Sequence, residues 1–141
     1  MEITKEALQS YRSKRDEILE LDWWLNNRWR SETMIGNDVI FDYSKGYPMP
    51  QSVVGFDQQK YERAQERDLR KKQGLEQECA EIEDFIEDIS DSITRRIFRM
   101  SFIDGRKQKD VAKAVHLDRS RVSRRVDDYL KNAHKAQNAH V

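Results

Sequence analysis

From Glu2 to Arg30 the chain contains neither proline nor glycine, and Ile18, Leu21 and Leu25 recur at steps of three and four among charged neighbours. That rhythm matches the turn of an α-helix with a single apolar stripe. A second segment, from Asp57 to about Asp91, repeats it through Tyr61, Ala64, Leu75, Cys79, Ile82, Ile86 and Ile89. A long helix with one narrow apolar seam needs a helical partner to cover it. The expectation is an all-α chain whose first two helices form a long, coiled-coil-like hairpin. The seam of Leu75, Ile82, Ile86 and Ile89 would fold back on the first helix or join two copies in a homodimer. The stripe falters at the polar Asp68, Lys71 and Lys72, which predicts a wet mid-section or charged partners such as Lys14 or Asp16.

The residues between the two helices, about 31–56, read SETMIGNDVIFDYSKGYPMPQSVVGF and hold both prolines and three of the five glycines. A connection of this length is either functional or disordered. Its Ile35, Val39, Ile40, Phe41, Tyr43, Tyr47, Val53, Val54 and Phe56 argue against disorder, which lacks such side chains. An irregular aromatic loop is expected, with a short strand or hairpin in DVIFDYSKGY. Trp23, Trp24 and Trp29 lie at the same end of the first helix and are expected to seal it as an aromatic cap, the alternative being an exposed protein-binding knob.

Charge divides the chain further. Its 26 Lys+Arg and 26 Asp+Glu cancel overall. Yet residues 1–56 carry −2, residues 57–94 carry −6 and residues 95–141 carry +8. A basic segment on an acidic body predicts a polyanion partner. The acidic run EQECAEIEDFIED reads as a solvated helix face that could also screen the basic part from non-specific DNA. With 37% of residues hydrophobic and 37% charged, thin helices fit better than a thick core. The lone Cys79 excludes an internal disulfide, and no Cys/His spacing suggests a metal. No apolar run approaches a membrane span and the N-terminal residues lack the pattern of a signal peptide, so a cytoplasmic location without membrane attachment is expected. There is no Gly-rich phosphate loop and no nucleophile paired with a histidine. An enzyme is not expected, nor a cofactor.

The basic segment has an internal order. Ser92 to Ile103 reads as a helix with Ile93, Ile97, Met100 and Phe102 or Ile103 inward, stopped at Asp104-Gly105. A short helix follows in KQKDVAKAVH with Val111, Ala112 and Val115 inward, the small Ala112 permitting a close helix crossing. The chain turns at His116-Leu117, with Leu117 plugging the junction. His116 occupies the turn position where glycine is usual, and histidine tolerates a left-handed backbone better than most residues. Asp118 is placed to cap a third helix, Arg119 to about Lys135, with Val122, Val126, Tyr129 and Leu130 inward. This is the pattern of a helix-turn-helix, giving a DNA-binding domain over residues 92–141 after an arm over residues 1–91. Lys107, Lys109, Arg119, Ser120, Arg121, Ser123, Arg124 and Arg125 are the expected DNA-binding residues. Arginines fork onto phosphates or guanine edges and serines donate to either.

The run DSITRRIFRMSFIDGRKQKDVAKAVHLDRSRVSRRVDDYLK resembles the C-terminal helix-turn-helix of bacterial sigma factors. With the preceding helices and Pro/Gly loop, the arrangement is similar to small phage and prophage transcriptional regulators of the ArpU/RinA type. The resemblance implies a helix-turn-helix over Lys107 to Lys131, base-edge contacts from Arg119, Ser120, Ser123 and Arg124, and control of late phage genes. The expected function is therefore sequence-specific binding of double-stranded DNA in transcription regulation, with RNA polymerase as a second candidate partner. Two alternatives stand beside it: a DNA-packaging component like a small terminase subunit, and a protein-interaction module directed at a host polymerase or regulator.

Overall fold

The computed structural model describes residues 2–32, 40–42, 45–47, 49–51 and 57–139. These residues are mostly helical, in the order α1 (Lys5–Gln9), α2 (Tyr11–Glu32), β1 (Ile40–Asp42), β2 (Met49–Gln51), α3 (Gln58–Glu87), α4 (Ser92–Phe98), a π turn (Arg99–Ile103), α5 (Gln108–Val115) and α6 (Arg119–Ala139). The single N-terminal helix expected from Glu2 is broken at Ser10. The Ser10 hydroxyl donates to the Ala7 carbonyl at 2.6 Å, and this local bond competes with continuation of the helix. Thr4 caps α1 by accepting from the Ala7 amide at 3.1 Å.

The chain divides into two compact units, Arg15–Gln77 and the combination of Met1–Lys14 with Glu78–Val141. This division falls short of the expected boundary at residue 91 because Cys79, Ile82, Ile86 and Ile89 are buried with Leu8, Tyr11, Ile97, Phe98, Met100, Val111, Ala112, Val115, Val122, Val126 and Leu130. The last turns of α3 thus belong to the C-terminal core. Phe85, Phe98, Phe102 and Tyr129 add an aromatic cluster, with the Phe98 and Tyr129 rings 5.4 Å apart, edge to face.

The expectation for α4 needs two corrections: Ile93 is exposed, and Phe98, absent from the expected inward set, is fully buried along with the expected Ile97. The phase is set by Asp91, whose carboxylate accepts from the Thr94 amide at 3.0 Å and the Thr94 hydroxyl at 2.6 Å. Thr94, Ile97 and Phe98 then face the core. The helix runs into the π turn, in which the Asp104 amide bonds the Arg99 carbonyl at 3.0 Å, so Phe102 and Ile103 are only half-buried. Gly105 ends it as expected, with φ +68°. Arg12 reaches the same point, donating to the carbonyls of Ile103 and Asp104 at 3.1 and 2.8 Å. The backbone at Gly105 favours glycine, and a Cβ there, 2.4 Å from Arg12 Cδ, would also push the exposed Arg12 side chain off these carbonyls.

In the other unit Ile18, Leu21 and Leu25 of α2 are buried, as their spacing predicts. The polar interruption of α3 is structural. Asp68 and Gln65 are buried and both accept hydrogen bonds from the buried Arg28 guanidinium. Gln65 also donates to the Leu25 carbonyl at 2.9 Å. Lys72 pairs with Asp22 at 2.9 Å and Lys71 with Glu17 at 3.2 Å. The partners of these positions are therefore Arg28, Asp22 and Glu17, not Lys14 or Asp16; Lys14 pairs instead with Glu78 at 3.0 Å. From Glu17 with Lys71 to Arg28 with Asp68 and Gln65, numbers rise along α2 as they fall along α3, so these stretches run antiparallel.

Part of the connecting segment forms a small antiparallel sheet, Ile40 opposite Gln51, Phe41 opposite Pro50 and Asp42 opposite Met49. The strand expected within DVIFDYSKGY finds its partner beyond that stretch. Ile35, Val39, Tyr43, Val53, Val54 and Phe56 lie outside the described residues. Of the expected tryptophan cap, only Trp29 seals anything: it packs with Leu69 on the buried Tyr47 and Tyr61. Trp23 and Trp24 are 52% and 40% exposed, edge to face at 5.1 Å.

Candidate nucleic-acid interface

Alanine and valine dictate how α5 and α6 meet. Val111, Ala112 and Val115 turn to one side of α5, and Val122, Val126 and Leu130 to one side of α6, all buried as their spacing predicts. His116 takes φ 60° and ψ 39°, the left-handed conformation expected of the turn. The Leu117 amide bonds the Ala112 carbonyl at 3.0 Å and the His116 amide bonds the Lys113 carbonyl at 3.4 Å, which together form a Schellman ending. Leu117 is half-buried at the junction. Gln108 Nε2 donates to the Arg119 carbonyl at 3.4 Å and ties the start of α5 to the start of α6.

A left-handed backbone costs a non-glycine residue about 1–2 kcal/mol. Glycine would relieve it but loosens the unfolded chain by about 0.4–1 kcal/mol. His116→Gly is therefore expected to raise stability by roughly 0.5 kcal/mol, seen as a modest rise in thermal midpoint. A drop would mean that the imidazole makes a contact the turn depends on.

Asp118 caps α6 as expected, and the detail changes one assignment. Its Oδ1 accepts from the Arg121 amide at 2.8 Å and from the Ser120 hydroxyl at 2.6 Å. The Ser120 hydroxyl, then the Arg121 amide, then the guanidinium groups of Arg121 and Arg124 hold the Asp118 carboxyl below its ordinary pKa. Ser120 has thus committed its proton and offers a partner only its lone pairs.

The eight expected DNA-binding residues separate by location. Arg119, Ser120, Arg121 and Arg124 are exposed on the first two turns of α6, and Lys107 and Lys109 are exposed at the start of α5. Among the described residues Arg119 and Arg124 make no ion pair, whereas Arg121 Nε lies 3.6 Å from Asp118. Ser123 is half-buried, in a cleft beside Lys5, Gln9, Ser101 and Gln108. Arg125 turns back to α4, donating to Asp91 Oδ2 at 3.1 Å. Neither of these two lies on the open face with Arg124. The carboxylates Asp127 and Asp128, both exposed, follow on α6, and beyond them only Lys131 and Lys135 add exposed Lys or Arg among the described residues, so the densest positive charge lies in its first turns.

Lys113, absent from the expected set, is also exposed on α5, a turn after Lys109. Its four-residue spacing from Lys109 was the signal. Among the described residues no group of three His, Cys, Asp or Glu could hold a metal ion, and no helix is long and apolar enough to cross a membrane. Compared with known proteins, the chain matches no family model, no curated protein and no solved structure.

Proposed function

We propose that α5 and α6 form a helix-turn-helix that binds double-stranded DNA, and that the protein is a sequence-specific transcription regulator. The observation that carries this reading is the first two turns of α6. Arg119 and Arg124 stand there exposed, without ion pairs among the described residues, on a helix whose opposite side is anchored by Val122 and Val126. Guanidinium groups on a helix of this kind suit phosphates and guanine edges in a major groove. Lys107, Lys109 and Lys113 supply further sequence-independent attraction. The resemblance of this segment to sigma-factor helix-turn-helices supports the same assignment. α2 and α3, joined by antiparallel ion pairs, are read as a helical hairpin with a role in self-association or contact with RNA polymerase.

The test is selection from sheared DNA of the source genome at moderate salt, with the Arg119→Ala/Arg124→Ala variant in parallel. Enrichment of a discrete site by the wild type, lost in the variant, is expected; equal retention of all fragments by both proteins would reject sequence-specific binding by this face.

One observation favours a second activity in the other unit. Leu19, Trp23 and Trp24 of α2 are all exposed, and large apolar side chains left open together mark contact surfaces for proteins. A protein partner on that surface would survive the Arg119→Ala/Arg124→Ala substitution, which separates the two readings.

A further inference from the structure

Within the unit Arg15–Gln77, Lys45 pairs with Glu62 and Glu66 at 3.6 and 3.7 Å, Lys71 with Glu17 at 3.2 Å and Lys72 with Asp22 at 2.9 Å. One row of cations in the same unit is left open. Lys60, Arg63, Arg67 and Arg70 follow one another along α3 at steps of three, four and three, and all four are exposed. That spacing sets them on one side of the helix. The other side is anchored, because Tyr61, Gln65 and Asp68 are buried and the Arg28 guanidinium bonds the last two.

Among the described residues Lys60, Arg63 and Arg70 make no ion pair. Arg63 Nε donates to the Gln59 carbonyl at 3.4 Å, a contact that leaves its charge unmatched. Arg67 lies 3.1 Å from Asp68 yet keeps a side chain 70% exposed. The two carboxylates beside the row, Glu62 and Glu66, are the ones that Lys45 engages, so the row stays positive. Like charges three and four residues apart on a helix repel. Lys60 also stands in the first turn of α3, which holds no acidic residue, and a cation there opposes the helix dipole. The row therefore works against its own helix, and a local rule broken without an internal gain marks a site of function.

We propose that this row is a second nucleic-acid contact, which holds the phosphates of a DNA duplex without regard to sequence. From Lys60 to Arg70 the helix rises about 15 Å at 1.5 Å per residue. A duplex carries one negative charge for about every 1.7 Å of its axis, so a row of this length faces several phosphates. A shallow cleft of about 440 Å³, lined by Arg63, Glu66, Arg67, Arg70 and Lys71, opens among these side chains. The row contains no apolar anchor of the kind on which protein interfaces depend, which favours a polyanion over a protein. From the helix-turn-helix reading the proposal takes only that the partner is duplex DNA; it needs neither α5 nor α6.

Fluorescence anisotropy of a labelled mixed-sequence duplex, titrated with the full chain across a range of salt, tests it. Lys60→Gln/Arg63→Gln/Arg70→Gln removes three charges and leaves Arg67 with Asp68. This variant should bind about 100-fold more weakly near 0.1 M salt, with a log-log slope shallower by up to about 2.7, each phosphate contact contributing near 0.9. Melting should match the wild type, since the replaced side chains are exposed. Arg63→Lys/Arg70→Lys preserves the charges and should preserve the slope. Arg70→Gln alone, with a slope shallower by about 0.9, keeps the test valid if the triple variant fails to fold. Unchanged affinity and slope in the glutamine variants, an equal loss in the lysine variant, or a wild type that does not bind the duplex would overturn the proposal. A loss in the triple variant with none in Arg119→Ala/Arg124→Ala would uphold the row and reject the α6 face; the reverse would reject the row alone. Salt-sensitive self-association abolished by the triple variant, with duplex binding unchanged, would assign the row to an acidic protein surface instead.

Discussion

Asp68→Ala is expected to destabilise the protein by up to about 3–5 kcal/mol, because it deprives the buried Arg28 guanidinium of a charged partner. Asp68 is 6% exposed and Arg28 3%, so solvent does not replace the lost carboxylate. Gln65 would remain on the guanidinium but carries no charge. Asp68→Asn should show the same direction with a smaller loss, since it retains the shape and one acceptor.

The pH dependence follows from the same group. Burial alone would raise the Asp68 pKa, but hydrogen bonds from Arg67 and Arg28, with their charges, outweigh it and lower it. A carboxyl with a depressed folded pKa contributes stability above its unfolded value, near 4, and loses that contribution as pH falls through the folded value. Acid should therefore narrow the difference between wild type and Asp68→Asn. Chemical denaturation of both proteins at neutral pH and at successively lower pH measures this. A gap that widens toward acid would contradict the ion pair.

Arg119→Ala/Arg124→Ala is expected to lower affinity for a selected duplex by about 100-fold or more, each good base or phosphate contact being worth about 1–3 kcal/mol. Melting should barely change, because both side chains are exposed and form no ion pair among the described residues. Arg125→Ala is the informative control. Its guanidinium bonds the carboxylate of Asp91, which caps α4, so its loss should lower stability more than it lowers affinity. If Arg125→Ala weakened DNA binding as much as the double variant, the division of the arginine run drawn from α6 would be wrong.

What the sequence made legible was the inner side of α5 and α6. Val111, Ala112, Val115, Val122, Val126 and Leu130 are buried because a fixed period leaves them no other side. Even the left-handed turn could be placed at His116, the position where glycine is usual in a helix-turn-helix. Long-range pairing was not legible. A buried ion pair looks, along one helix, like a fault in the apolar stripe, and Arg28 lies 40 residues from Asp68. The same limit hid Asp91 from Arg125, so structural and free arginines were indistinguishable within RSRVSRRV. The phase error at Ile93 has a local cause: the Asp91 cap fixes where α4 begins, and the π turn then shifts its register.

Whether the exposed start of α6 holds duplex DNA is read most directly from duplex affinity across a range of salt, for wild type and Arg119→Ala/Arg124→Ala. A steep linear fall in log affinity with log salt is expected for the wild type. If both arginines neutralise phosphates, the slope for the variant should be shallower by about 1.8, near 0.9 for each phosphate released. Base-edge contacts by either residue would lower affinity with less change in slope. Equal affinity and equal slope for the two proteins would show that this face does not hold DNA.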